Sequence, residues 1–139
     1  MKIDSYLMFN GQCEEAFRFY EKTLGGKIEG IMTYGASPVA QQMPPDMKDK
    51  IIHARLVVGD QVLMGGDAPS QQYEKPQGFG VSITVNEPAD VDRIFNALSA
   101  DGKITMPAQK TFWSARFGMA TDRFGIPWMV NCAQAAQAV

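Results

Sequence analysis

The sequence predicts an α+β fold made of two tandem βαβββ modules, about residues 1–67 and 77–133, and three observations carry that prediction. A strand-like run, Tyr6-Leu-Met-Phe9, leads into an amphipathic stretch in which Phe17, Tyr20 and Leu24 are spaced three and then four residues apart. The same order returns later: Phe79, Val81, Ile83 and Val85 alternate with Gly80, Ser82 and Thr84, and Val91, Ile94 and Leu98 then repeat the three-then-four spacing. Glycines stop both helical stretches, Gly25-Gly26 in the first copy and Gly102 in the second. With 139 residues, 45% of them apolar, the chain is long enough for one well-buried domain and too short for two independent ones, so a single domain over 1–139 built from two modules is expected.

The first module opens with a strand over 3–9, which Asn10 and Gly11 break. Glu14 and Glu15 suit the positive end of a helix predicted over 13–24. A strand is expected over 27–34, followed by a long loop over 35–50, where GASPVAQQMPPDMKDK has prolines and no periodicity. Loops of that length often cover a ligand. Residues 51–58 and 61–64 read as a hairpin turning at Gly59-Asp60, and the polar stretch 67–77 reads as a linker. In the second module Asn86 is the expected N-cap, with Pro88 in the first helical turn. A short strand over 103–106 precedes a hairpin of 115–121 with 126–132 across Asp122-Arg-Phe-Gly125. The tail from Ala133 is expected to fray.

A net charge of -2 without a basic run gives no electrostatic footprint for nucleic acid or an anionic membrane. Asp4 interrupts what would be the apolar region of a signal peptide, and no apolar run reaches the roughly 18 residues of a membrane span, so a soluble cytoplasmic protein is expected. Cys13 and Cys132 have no CxxC spacing and are expected as reduced, partly buried thiols.

The stretches Tyr6-Leu-Met-Phe-Asn-Gly11, Cys13-Glu-Glu-Ala-Phe-Arg-Phe-Tyr20, His53-Ala54, Leu63-Met64, Thr111-Phe-Trp-Ser-Ala-Arg-Phe-Gly118 and Thr121-Asp-Arg-Phe-Gly-Ile-Pro-Trp128 together resemble the PhnB-like branch of the vicinal oxygen chelate superfamily. That superfamily includes glyoxalase I, bleomycin-resistance proteins and extradiol dioxygenases. The resemblance runs from Tyr6 to Cys132. It implies a curved mixed sheet around a cleft, a helix outside each half, and a homodimer. Alternation then divides the strands. Leu7, Phe9, Val81, Ile83, Val85, Phe117, Met119, Trp128 and Val130 should face helices, while Asp4, Tyr6, Met8, His53, Arg55, Met64, Gly80, Ser82, Thr84, Arg116 and Met129 should face the cleft.

Metal-dependent members of the superfamily take four His or Glu ligands from inward strand positions. Here the resemblance maps those positions to about Asp4, Met64, Gly80 and Met129, of which only Asp4 suits a hard cation. The one histidine is His53, and the glutamates Glu14, Glu15, Glu21, Glu29, Glu74 and Glu87 lie on helices, a loop and an early strand. No cofactor is therefore expected, and a divalent metal is disfavoured.

His53 is the candidate general base or ligand partner, with a bond to a neighbouring carbonyl or carboxylate as the plainer alternative. Arg55 and Arg116 on corresponding strands would favour an anionic ligand, unless each pairs with a carboxylate. Tyr6 and Trp113 are candidate flat walls, whereas Phe117 is assigned to the core. Met8, Met64 and Met129 either adapt to ligands or fill space. The ligand-binding set is thus Tyr6, His53, Arg55, Met64, Ser82, Thr84, Trp113, Arg116 and Met129. Asp122 to Trp128 read as turn, edge and core residues rather than a catalytic signature.

The function these readings favour is binding of a small anionic or polar-aromatic molecule without the superfamily metal. The alternative is a lyase, isomerase or dioxygenase that depends on a reorganised metal site or on His53. A methyltransferase, a label attached to this branch, would need a glycine-rich loop between a first strand and helix, and the chain has none.

Overall fold

Residues 1–69 and 71–133 are described by a computed structural model, in which the chain divides into two compact units, Met1–Lys75 and Pro76–Val139. The tail expected to fray lies outside the described residues beyond Ala133.

The first unit contains β1 (Ser5–Phe9), α1 (Cys13–Leu24), β2 (Lys27–Thr33), β3 (Ile51–Val58) and β4 (Gln61–Asp67). Its strands lie in the order β1-β4-β3-β2, with β1 parallel to β4 and the other pairs antiparallel. Because β1 and β2 are opposite edges, the connection between them must cross the sheet, and α1 makes that crossing. Cys13, Ala16, Phe17 and Tyr20 form its buried stripe, and Phe9 meets the rings of Phe17 and Tyr20. Gly25 ends the helix at φ 73°, a left-handed conformation that needs no Cβ.

The second unit repeats the plan with β5 (Val81–Val85), α2 (Pro88–Ser99), β6 (Lys103–Gln109), β7 (Phe117–Thr121) and β8 (Pro127–Cys132), in the order β5-β8-β7-β6. Here β5 and β8 are the parallel pair. Val91, Ile94, Phe95 and Leu98 are the buried face of α2. Two four-stranded mixed sheets with one helix each make this the predicted α+β βαβββ repeat.

Several local expectations are corrected. The N-cap of α2 is Glu87 rather than Asn86. Pro88 occupies the first helical position and holds the preceding residue in extended backbone, and Glu87 accordingly has φ -121° and ψ 134°. Gly102 does not end α2, which stops at Ser99. It is required because a Cβ there would fall on the Thr121 carbonyl oxygen. The 35–50 segment is not bare loop: it contains 3₁₀ turns at Ala40–Gln42 and Pro45–Met47, and buried Met47 anchors it.

Parity on β7 is also reversed from expectation. Phe117 pairs with Asn131 and Met119 with Met129, on the helix-free face, while Gly118 and Ala120 lie beneath α2. The reason is space, since a Cβ on Gly118 would meet the Phe95 ring at 2.7 Å and the Ala108 Cα at 3.2 Å. Gly118→Ala should therefore destabilise the protein by about 1–3 kcal/mol in urea unfolding. Gly30→Ala, where an added Cβ meets nothing within 4 Å, should be nearly silent. Equal effects of the two would refute the close approach.

Candidate functional site

Each sheet has a face without a helix, and the register shows which side chains share it. In the first unit, Tyr6 pairs with Met64 and Met64 with Arg55, while Met8 pairs with Gly66 and Met32 with His53. Five of the predicted cleft residues, Tyr6, Met8, His53, Arg55 and Met64, therefore do lie together. Tyr6, Met8 and Met32 are exposed at 43%, 40% and 46%, high values for large apolar side chains on a sheet. Asp4 precedes β1 and is exposed.

Tyr6 and His53 form a stacked pair with ring centroids 5.8 Å apart. The Tyr6 hydroxyl donates to the Ile52 carbonyl at 3.2 Å. The same oxygen lies 3.4 Å from His53 Nδ1, within hydrogen-bond reach. Burial, more than the nearby Cys13 and Tyr34, raises the pKa of the Tyr6 hydroxyl above its ordinary value. Arg55 is not a free cation, because its Nη1 lies 2.6 Å from Glu29 Oε1 on the neighbouring strand.

In the second unit Ser82, Met129, Met119 and Met106 form one cross-strand row, and Thr84, Asn131 and Phe117 form the next. Gly80 stands just before β5, and a Cβ there would meet the Met129 sulfur at 3.3 Å. Arg116 departs from the prediction. It has the parity of Gly118, points toward α2, and its Nε meets Asp92 Oδ1 at 2.6 Å. Both arginines thus take the carboxylate-paired alternative. Trp113 packs edge-on against Phe117 at 5.3 Å and against Phe112 at 4.7 Å. Phe117 is buried as predicted, yet on the helix-free side.

Sequence reasoning missed Asn131 and Thr111, whose Oδ1 and Oγ1 are buried with no hydrogen-bond partner. A polar residue near the end of the Pro127–Cys132 strand was the available signal. It also missed Asp67, which had been placed in a linker. Asp67 instead ends β4, is 1% exposed, and accepts hydrogen bonds from the backbone N–H of Cys13 and Ile51. Cys13 and Cys132 are both free and fully buried rather than partly so. Burial first, then the charges of Asp67 and Glu14, pushes the Cys13 thiol well above its ordinary range, which leaves it protonated and unreactive at neutral pH.

The donor set for a superfamily metal does not fit. Among the described residues no group of three or more His, Cys, Asp or Glu side chains is placed to hold a metal ion. The mapped positions offer one exposed carboxylate at Asp4, thioethers at Met64 and Met129, and no side chain at Gly80. Thioethers are poor ligands for hard divalent ions.

Repeated βαβββ units, each a four-stranded mixed sheet with one helix, define the class of fold. The chain belongs to the glyoxalase/bleomycin resistance protein/dioxygenase superfamily, whose profile matches residues 2–130. Members of that superfamily bind small molecules and often form dimers. Protein YjdN of Escherichia coli K12 is 33% identical over 139 residues, covering 94% of this chain and 95% of its own length. The crystal structure of protein PA1353 from Pseudomonas aeruginosa is 50% identical, with a TM-score of 0.88 over 96% of this chain and 98% of that one. A Bacillus cereus protein, whose name pairs PhnB with 3-demethylubiquinone-9 3-methyltransferase, is 27% identical with a TM-score of 0.81, over 96% of this chain and 100% of its own. No helix among the described residues is long and apolar enough to cross a membrane.

Proposed function

We propose that this protein binds a small polar-aromatic molecule as a homodimer, without the metal used by catalytic members of its superfamily. The observation that carries the reading is the chemistry of each unit's helix-free face: Tyr6, Met8, Met32 and Met64 in the first unit, and in the second Met106, Met119 and Met129 with the hydroxyls of Ser82 and Thr84 and with Trp113 packed on Phe117. Unbranched thioethers adapt to the outline of flat ligands, and aromatic walls stack on them. Pairing of Arg55 with Glu29 and of Arg116 with Asp92 argues for a polar-aromatic ligand over an anionic one. Protein purified without chelators should contain far less than one equivalent of Zn, Ni, Mn or Fe by elemental analysis. It should elute at twice the 15.3 kDa chain mass in light scattering. A stoichiometric metal that is lost together with ligand binding would overturn the reading.

A second reading, a metal-free enzyme, is favoured by the Tyr6–His53 pair alone. His53 would act as the base, and the Tyr6 hydroxyl, 3.4 Å from Nδ1, would hold the ring. Replacing His53 by Asn should then abolish turnover of a bound ligand and spare its affinity. Unchanged turnover would dismiss this reading.

A further inference from the structure

We propose that one end of the helix-free face of the second sheet, around Asn131, is a subsite for a planar ring carrying an N–H or O–H donor in its plane. This rests on the small-molecule reading above and gives it a place and a chemical class.

Asn131 lies on β8, an inner strand, with Thr84 beside it on β5 and Phe117 on β7. An amide on an inner strand should find a partner, because burying an unsatisfied carbonyl oxygen costs free energy. Its Oδ1 is buried and has none. Thr111, whose buried Oγ1 also has none, belongs to the segment that is held at this same end of the sheet. Ser114 makes that attachment: its hydroxyl is 2.8 Å from the carbonyl oxygens of both Arg116 and Cys132, and its own carbonyl accepts from the Thr111 N–H at 3.0 Å. The Cys132 N–H also donates to the Arg116 carbonyl at 2.8 Å. The same attachment sets Trp113 against Phe117, which is directly opposite Asn131.

The polarity of the site follows from these atoms. Asn131 Oδ1 accepts, and a threonine hydroxyl can accept or donate. Of the cations flanking this segment, Arg116 is engaged by Asp92 on the side facing α2 and Lys110 is exposed. An anion would meet an unpaired carbonyl oxygen, whereas an in-plane donor would satisfy it. Phe112, 92% exposed and edge-on to Trp113, extends the aromatic surface into solvent. Because Oδ1 has no open surface, the Asn131 amide must turn outward for a ligand to reach it; a donor-bearing ring packed against Trp113 would then supply the missing hydrogen bond and cover apolar area together.

The test uses the full chain, with indole and benzimidazole as probes, their N-methyl derivatives as donor-free analogues, and benzoate as the anion. Titrations are followed by the indole N–H resonances of Trp113 and Trp128, assigned with Trp113→Phe. Indole or benzimidazole should move the Trp113 resonance and leave that of Trp128, whose Nε1 is held by Asp122 at 2.8 Å, in place. N-methylation and Asn131→Leu should each weaken binding roughly tenfold or more, while Asn131→Asp, which keeps an acceptor, should retain it. Asn131→Leu should leave the unliganded protein at least as stable as the wild type, since it removes an unpaired polar atom; a lower melting temperature would mean that Asn131 is structural, and would overturn the subsite. So would equal affinity for the methylated probes, preference for benzoate, or an unmoved Trp113 resonance at millimolar probe. If the probes instead shift resonances of Tyr6 and His53 alone, the subsite fails while the small-molecule reading stands.

Discussion

Asp122→Ala should cost about 3–5 kcal/mol of stability, which in a chain of this size lowers the melting temperature by roughly 10–20 °C. The Asp122 carboxylate is 4% exposed and serves three donors. Its Oδ1 accepts from the backbone N–H of Phe124 at 2.9 Å and of Ile126 at 3.0 Å, and its Oδ2 accepts from the Trp128 indole at 2.8 Å. Alanine removes this acceptor from three buried groups, each loss costing about 1–3 kcal/mol before relaxation. The turn also depends on Gly125 at φ 92°, so it cannot simply re-form around another partner. Asp122→Asn keeps the acceptor oxygen for the backbone pair but turns an amide N–H toward the indole, and should lose a smaller part of the stability. Urea unfolding monitored by Trp128 fluorescence measures both. A loss below about 1 kcal/mol for Asp122→Ala would refute this account.

Asp67→Ala should produce a comparable loss, about 3–5 kcal/mol, by a different route. Asp67 and Asp122 are the two buried carboxylates among the described residues. Helix α1 has Gln12 at its N-cap with no side-chain hydrogen bond, so its first N–H groups need acceptors from elsewhere. Asp67 Oδ1, 54 residues away, accepts from the Cys13 N–H at 3.0 Å, and Oδ2 accepts from the Ile51 N–H at 2.8 Å. One carboxylate therefore caps the helix, places negative charge at its positive end, and fixes the start of β3. The Asp67 carbonyl in turn accepts from the Tyr34 hydroxyl at 2.7 Å. Hydrogen exchange of the first turn of α1 is the specific readout: it should accelerate in Asp67→Ala and not in Glu14→Ala, an exposed first-turn residue. Equal protection in both variants would remove the cap from the explanation.

The repeat, its helices and its hairpins were legible because they depend on local pattern. Phe17, Tyr20 and Leu24, or Val91, Ile94 and Leu98, declare a helix face by spacing alone, and Asp122 with Gly125 declares a turn. On the candidate site, Tyr6, His53, Arg55 and Met64 were correctly grouped because alternation along β1, β3 and β4 is regular where they lie. Arg116 and Phe117 were misassigned to each other's face. Both faces of β7 carry residues of plausible character, and only the need of Phe95 for the space above Gly118 decides between them.

Asp67, Asn131 and Thr111 were not legible at all. An aspartate before Ala68 and Pro69 looks like a linker residue until β4 sets it beside the N-terminus of α1. An asparagine in a strand looks unremarkable until its oxygen is found buried without a donor. What the sequence determined by itself is therefore the order of elements and the superfamily, since these follow from residue type and short-range spacing. The tertiary structure decided which carboxylate anchors each unit internally, which arginines are already paired, and which buried polar atoms lack a partner. Those are properties of atoms brought together from distant positions, and burial alone gives them their energetic weight.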